Sequence, residues 1–337
     1  MSTSGTYTYS ATAAQAIQEA LEILGVLESG RTPTTADQTS CLTTLNMMVK
    51  QWSGNFDFAP GLKAFARKRG YVFPQKNQGS YSIGPTGDNA SLSYVTTTMR
   101  VAGTPTATTL EVTSTTGMTG ADKIGILLDS GTIQWTTISS VTDSDTLVIP
   151  ASGLTSAAAA GNRIFAYTTK LMRPLYVESA VLRDTSGNDT ELFPMLVSDY
   201  ESLPAKSTDA DPGFYLYENS LTNGTLLLDY EPSDMTKVIR LTFMAPAENY
   251  DAVANDIAYP QEWLSAIAMG LAKRVAPKFK VKWSQELESN YVEALSIART
   301  SYAETSEEYF QPGLEYCAFH LPRRLIRVMA QVTRMSG

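Results

Sequence analysis

Apolar residues recur at helical spacing near both ends of the chain. In the N-terminal part they predict two helices, over about residues 11–28 and 34–53. In the C-terminal part they predict a third helix over 260–277 and a long fourth helix over about 283–308. A narrow apolar stripe on a helix must be buried against a partner. We therefore expect the four helices to pack together in one bundle.

The long stretch between these helices has the pattern of strands and turns. Short runs of aromatic, β-branched and aliphatic residues alternate with turn-forming Gly, Asn, Asp and Pro. Asn223-Gly224 between two such runs predicts a hairpin. Residues 101–168 are poor in charge, rich in Thr and Ser, and contain several short strand-like runs. They predict a small β-barrel or sandwich that is inserted into a loop of the main body.

These patterns together predict an α+β protein. Its body is a bundle of N- and C-terminal helices with an antiparallel β middle region, formed by residues 1–100 and 169–312. Residues 101–168 form the inserted domain, which we expect to fold on its own with Trp135 in its core. Residues 313–337 form a basic tail. Within the bundle, Trp52 and Trp263 are expected to be buried.

The charge of the chain is low in density and unevenly distributed. Of the 337 residues, 18% are charged, and the net charge is −8, which opposes tight binding of nucleic acid by the whole molecule. From Gln311 to Gly337 there are four arginines and one acid, a charge of +3 that leaves −11 on the body. The tail and the body are therefore expected to attract each other or oppositely charged partners.

Few residue types that carry catalysis are present in the chain. His320 is the single histidine, and the sequence contains no Gly-rich phosphate loop, no HExxH and no CxxC motif. Cys41 and Cys317 are too few for a zinc site or a disulfide framework. Acidic pairs such as Asp143 with Asp145 lie in turns, where Asp is favoured for local hydrogen bonds alone. We expect no enzymatic activity, no cofactor and no metal site.

Two basic segments are candidate contact sites. Residues 67–69, which are Arg67, Lys68 and Arg69, follow a short helical piece and could face DNA or an acidic ring neighbour. A solvated helix end, where cations complement the helix dipole, is the favoured interpretation. Residues 323–334 form an amphipathic pattern that suits docking into a groove of a partner, or packing on the chain's own bundle. The residues of this docking candidate are Arg323, Arg324, Leu325, Arg327, Val328, Met329, Val332 and Arg334.

The chain resembles the head-to-tail connector proteins of short-tailed bacteriophages, also described as tail accessory or packaged-DNA-stabilising factors. The resemblance lies in residues 13–30, in Pro33 with residues 42–52, in 79–88, and in 259–264. It covers roughly residues 11–100 and 170–310. The region 101–168 departs from the smallest members of that family, which are nearly all helical.

The resemblance implies a structural role in the virion. It implies a ring of copies, twelve in number, that is bound beneath the portal protein at the head–tail junction. Such a ring extends the DNA channel, retains packaged DNA through transient non-specific contact, and provides attachment for downstream tail proteins such as a nozzle or tail fibre. It is made and assembled in the host cytoplasm without contact with a membrane. An acidic body suits a channel that must release DNA.

Two other functions remain open from the sequence. One is a virion-associated hydrolase of cell wall or polysaccharide that uses an acidic pair, which requires two carboxylates at a defined separation in a cleft. The other is a module that binds carbohydrate or a receptor through the region 101–168. Both would be distinguished from an adaptor by the mass of the protein in solution, with and without portal protein.

Overall fold

Four helices from the two ends of the described chain share one hydrophobic core. The computed structural model describes residues 9–54 and 63–301, together with Gly5. In it, Trp52 and Trp263 are buried and their rings lie 5.7 Å apart, so the predicted burial of both is confirmed. The helices are α1 (Ala13–Ile23), α2 (Thr35–Ser53), α3 (Lys63–Ala66), α4 (Val197–Glu201), α5 (Leu264–Val275) and α6 (Gln285–Thr300), and the core is built by α1, α2, α5 and α6.

Side-chain caps fix where three of these helices begin. The hydroxyls of Thr12, Thr34 and Ser284 each accept a hydrogen bond from a backbone N–H in the first turn. α2 ends at Ser53, as predicted, and Gly54 caps this end. α1 ends at Ile23, earlier than predicted, because the chain turns at Gly25, whose φ is +67°.

In the described part of the chain, fifteen strands connect the helices and form three sheets. Their bounds are β1 (Arg67–Val72), β2 (Ser80–Ile83), β3 (Ala90–Ser91), β4 (Val95–Thr98), β5 (Thr109–Glu111), β6 (Lys123–Leu127), β7 (Ile133–Thr137), β8 (Ser140–Val141), β9 (Thr146–Val148), β10 (Arg163–Tyr167), β11 (Tyr176–Arg183), β12 (Asp189–Pro194), β13 (Phe214–Asn219), β14 (Gly224–Leu228) and β15 (Val238–Met244). The sheets, rather than the helices, therefore organise most of the described chain between α3 and α5.

The largest sheet has eight strands and is nearly closed. Its order is β2-β14-β13-β12-β11-β15-β1-β3, and all neighbours are antiparallel except β12 and β13. Only residues 84–89 separate the two edge strands β2 and β3, so the sheet curls into a barrel-like shape. Apolar side chains such as Tyr81, Leu226, Leu241 and Phe243 fill its interior.

The middle region forms two smaller sheets around a core of its own. One has the order β4-β10-β6-β7 and the other β5-β9-β8. Leu110, Ile124, Leu147 and Ile164 are fully buried between them. β4 lies before residue 101 but pairs with β10, so the pairing crosses the predicted start of this region.

An aromatic cluster joins the middle region to the eight-stranded sheet. Phe73 is fully buried, and its ring centroid lies 4.6 Å from that of Phe165 and 5.4 Å from that of Trp135. Tyr94 and Tyr167 complete the contacts around Phe73. Trp135 therefore packs at this junction, and Gly125 provides the space, because a Cβ there would lie 2.6 Å from the indole.

The predicted fold class is wrong. We expected a helical bundle with an antiparallel β region and a separate inserted domain, whereas the fold is dominated by β-structure, with an eight-stranded sheet and two smaller ones. The helices α1, α2, α5 and α6 form one hydrophobic core. The middle region shares the aromatic cluster with the large sheet. One compact unit, Met1–Ala303, contains every residue that the structure describes. The domain boundaries at 101 and 168 stay a prediction.

The hairpin predicted at Asn223-Gly224 is present, for a partly different reason. β13 and β14 pair antiparallel, with Asn219 opposite Gly224. Gly224 does not supply a left-handed turn residue. It is needed because a Cβ at this position would lie 2.0 Å from the Tyr217 hydroxyl, which donates a hydrogen bond to the Pro174 carbonyl.

A carboxylate on the outer face of the large sheet makes part of its stability pH-dependent. Arg183 Nε donates to Asp189 Oδ1 at 2.7 Å, and Arg240 Nη2 donates to Oδ2 at 2.8 Å. These arginines, Arg183 first, hold the pKa of Asp189 below its ordinary value.

We expect Asp189→Asn to lower the free energy of unfolding at neutral pH by less than about 1 kcal/mol, because the group is partly exposed. A depressed pKa stabilises the fold above the ordinary pKa of about 3.9, and this contribution disappears as the pH falls through the folded-state pKa. Urea unfolding at pH 7 and near pH 2 should therefore separate the two proteins only at pH 7. An equal gap at both values would contradict the assignment.

Candidate functional site

The predicted docking residues of the basic tail lie outside the described residues. This holds for Arg323, Arg324, Leu325, Arg327, Val328, Met329, Val332 and Arg334. Their docking role stays a prediction.

The basic segment 67–69 is the start of a strand and not a helix end. Arg67, Lys68 and Arg69 begin β1, so successive side chains point to opposite faces of the sheet. Arg67 forms a two-point ion pair with Glu178 on β11, with N–O distances of 2.6 and 2.9 Å. Lys68 lines a small cavity beside Tyr259, and Arg69 is exposed. The three cations therefore do not form one patch, and Arg69 is the member that remains open to a partner.

The acidic pairs noted in the sequence are turn formers. Asp143 Oδ1 accepts a hydrogen bond from the backbone N–H of Asp145 at 3.1 Å, and this bond is the main cause of the lowered pKa of Asp143. Asp211 is paired with Lys237. Among the described residues, no group of three or more His, Cys, Asp or Glu side chains could hold a metal ion.

A groove that sequence reasoning did not identify lies between α1 and α5. It has a volume of about 570 Å³. Glu19 and Glu22 lie on its α1 side, where Gln18 Nε2 donates to Glu22 Oε1 at 2.9 Å. Ile23 and Met269 supply apolar surface to it. The groove is therefore apolar in part and acidic along one side.

A second groove lies on the other side of α5, against α6. Its volume is about 260 Å³, and it is lined by Glu262, Glu293 and Ile297. Ile297 is 55% exposed, which is high for a branched apolar side chain. Ser265 and Met269 line both grooves, so the two flank one exposed stripe of α5. We call this surface, from α1 across α5 to α6, the helical groove.

The charged side chains that line the helical groove are acidic. Among the described residues, its lining contains Glu19, Glu22, Glu262 and Glu293 and no lysine or arginine. The nearby Lys273 is already engaged, because its Nζ lies 2.6 Å from Glu288 and 4.8 Å from the ring centroid of Tyr291. That bond lowers the pKa of Glu288, which also accepts from the Trp283 indole. A partner with both apolar and cationic side chains fits such a surface.

The sequence contained a weak signal for this groove. The segment of α1 carries Glu19 and Glu22 on its polar face and no lysine or arginine at all. A solvated helix usually mixes both signs of charge, so a face of one sign indicates a partner of the other. The contribution of Glu262 and Glu293 could not be read from the sequence, because they reach the groove from segments that are more than two hundred residues away.

Comparisons with known protein families and with curated proteins do not indicate a function. Neither a protein-family model nor a curated protein matches this chain. Within residues 9–54 and 63–301, none of the helices combines the length and the apolar character needed to cross a membrane.

Proposed function

We propose that this chain is a structural adaptor of a bacteriophage head–tail junction. Copies of it form a closed ring beneath the portal protein, extend the DNA channel, retain the packaged DNA and offer a platform for the downstream tail proteins. The role requires no catalysis and no cofactor. The protein acts in the virion after assembly in the host cytoplasm.

One observation carries the proposal. The segments that resemble phage connector proteins, 11–100 and 170–310, supply the four long helices and every strand of the eight-stranded sheet. The region that departs from the resemblance supplies most of the two smaller sheets, with a core of its own. The resemblance therefore follows the organisation of the fold, with the variable part added beside the common part.

The charge distribution supports a conduit. The net charge is −8, so a ring of copies repels the phosphate backbone and lets DNA pass. Cations within the described sheets are largely paired, as Arg67, Arg183 and Arg240 are. Exposed cations such as Arg69 are then available for weak contacts with DNA or a ring neighbour.

The basic tail is proposed to anchor the subunit to the portal or to an adjacent copy. Its apolar stripe would be exposed to water unless a partner covered it, and its arginines suit an acidic surface. We expect a chain that is truncated after Gln311 to stay folded but to lose most of its association with portal protein. The association of the full chain should weaken as the salt concentration rises.

Mass in solution tests this proposal. The full chain and the truncated chain are measured by sedimentation, each alone and with its cognate portal protein, and helical circular dichroism verifies that both are folded. A ring of the full chain that binds portal protein, and at least tenfold weaker binding of portal protein by the truncated chain, are expected. A folded monomer that ignores portal protein would overturn the proposal, and release of sugars from peptidoglycan by that monomer would favour the hydrolase.

A further inference from the structure

We infer that the helical groove of one copy binds residues 323–334 of a second copy. This inference rests on the proposed ring and deepens it, because it names both surfaces of the contact between neighbours. The groove supplies acids and apolar floor, and the segment supplies arginines and an apolar stripe.

The groove offers apolar contacts on its floor and charged contacts at its sides. Met269 lies at its centre and Ile297 at its α6 side, and both leave apolar surface open to solvent. Glutamates flank this floor on α1 and on α6, and Glu19 and Glu293 are exposed. A bound helix can therefore bury apolar side chains on the floor while its long arginine side chains reach back toward the glutamates at the rim.

Residues 323–334 have the matching pattern. Leu325, Val328, Met329 and Val332 recur at the spacing of one helical face. Arg323, Arg324, Arg327 and Arg334 provide four positive charges and the segment contains no acid. Arg324 flanks this stripe, and Arg323, Arg327 and Arg334 lie on the opposite helical face. The four arginines equal the four glutamates of the groove in number, so these charges balance.

Binding between copies, rather than within one copy, follows from the charge of the body and from symmetry. Without residues 311–337 each copy carries −11, so bodies placed side by side repel each other unless cations lie between them. A segment that crosses to the next copy supplies those cations at the contact. Because the groove and the segment are different surfaces, each copy donates one and accepts one, which is the head-to-tail contact that closes into a ring.

Charge reversal in the full-length protein tests the contact. The groove variant E19K/E22K/E293K is expected to weaken self-association at least tenfold. The matched control D199K/E191K/E218K makes the same change in charge at exposed acids outside the helical groove and should associate at least as well as the unaltered chain. Adding R323E/R324E/R327E to the groove variant should restore association, because the attraction is re-formed with the signs exchanged.

Cross-linking decides which copy is bound. Met269→Cys is placed in one batch and Val328→Cys in another, both with Cys317→Ser, and the mixture is treated with a short bis-maleimide. Cys41 is fully buried, and burial raises its pKa, so it should not react. A cross-linked dimer that contains one chain of each kind is expected. A chain that carries both cysteines and links only to itself, at a concentration where the unaltered chain associates, would overturn the exchange between copies.

These experiments separate the inference from the proposed function. If rings form and bind portal protein, but the groove variant behaves like its control and no cross-link appears, the inference is wrong and the adaptor role stands. If the groove variant and the cross-link behave as expected but portal protein is never bound, the contact between copies stands and the adaptor role fails.

Discussion

Trp263→Ala should lower the free energy of unfolding by about 3–5 kcal/mol, the usual cost of removing a fully buried large aromatic side chain. Trp263 is completely inaccessible to solvent, and its ring contacts Trp52 and Tyr259. It lies where the chain enters α5, so the cavity would open between the N-terminal and C-terminal helices. Urea unfolding followed by helical circular dichroism measures the change.

Two control variants make this result specific. Trp263→Phe keeps a ring in the core, and the Trp263 indole N–H has no hydrogen-bond partner among the described residues, so this variant should cost only about 1–2 kcal/mol. Met47→Ala on α2 should change stability by less than about 0.5 kcal/mol, because Met47 is 65% exposed. Similar losses for Trp263→Ala and Met47→Ala would mean that the helices do not share this core.

The helices could be predicted because their signals are local. Thr34 caps the start of α2 and Gly54 caps its end, and both are direct neighbours of that helix in the sequence. The periodicity of apolar residues identified α5 and α6 in the same way, with Ser284 as the cap of α6. Even the packing of α1 and α2 against α5 and α6 followed from the sequence, because four narrow apolar stripes require partners.

The eight-stranded sheet could not be predicted because its pairings are distant. β1 pairs with β15, and the partners Arg67 and Met244 are separated by more than 170 residues. Strand patterns show which residues are extended, but not which strand lies beside which. The prediction of an insert at residues 101–168 was limited in the same way. Its own strands were recognised, whereas the pairing of β4 with β10 and the contacts of Phe73 cross its boundaries.

The candidate site was missed for a related reason. The sequence identified cations, at 67–69 and in the tail, as candidate contact residues, because the net charge of the chain is negative. The groove that could receive cations is assembled from α1, α5 and α6, and its glutamates come from α1, from α6 and from the turn before α5. A surface of this kind exists only after folding, so its charge is a property of the tertiary structure.

Phe73→Ala should be as costly as the change at Trp263, about 3–5 kcal/mol, and it should act on two sheets at once. Phe73 follows β1 of the eight-stranded sheet, is fully buried, and contacts Trp135, Phe165 and Tyr167 of the middle region. Removal of its ring withdraws packing from both sides of the junction. Hydrogen exchange should therefore become faster in β1 and in β10 together, while the helical core, which contains no residue of the cluster, keeps its protection.

Phe193→Ala is the matched control for this change. Phe193 lies on β12 of the same eight-stranded sheet but is 51% exposed, so its removal should cost less than about 1 kcal/mol and leave exchange in β10 unchanged. If Phe73→Ala accelerated exchange in β1 alone, the middle region would be stable without the junction, as an independently folding insert would be. Faster exchange in both sheets would mean that the aromatic cluster couples them, because the two sheets then lose protection through one shared side chain.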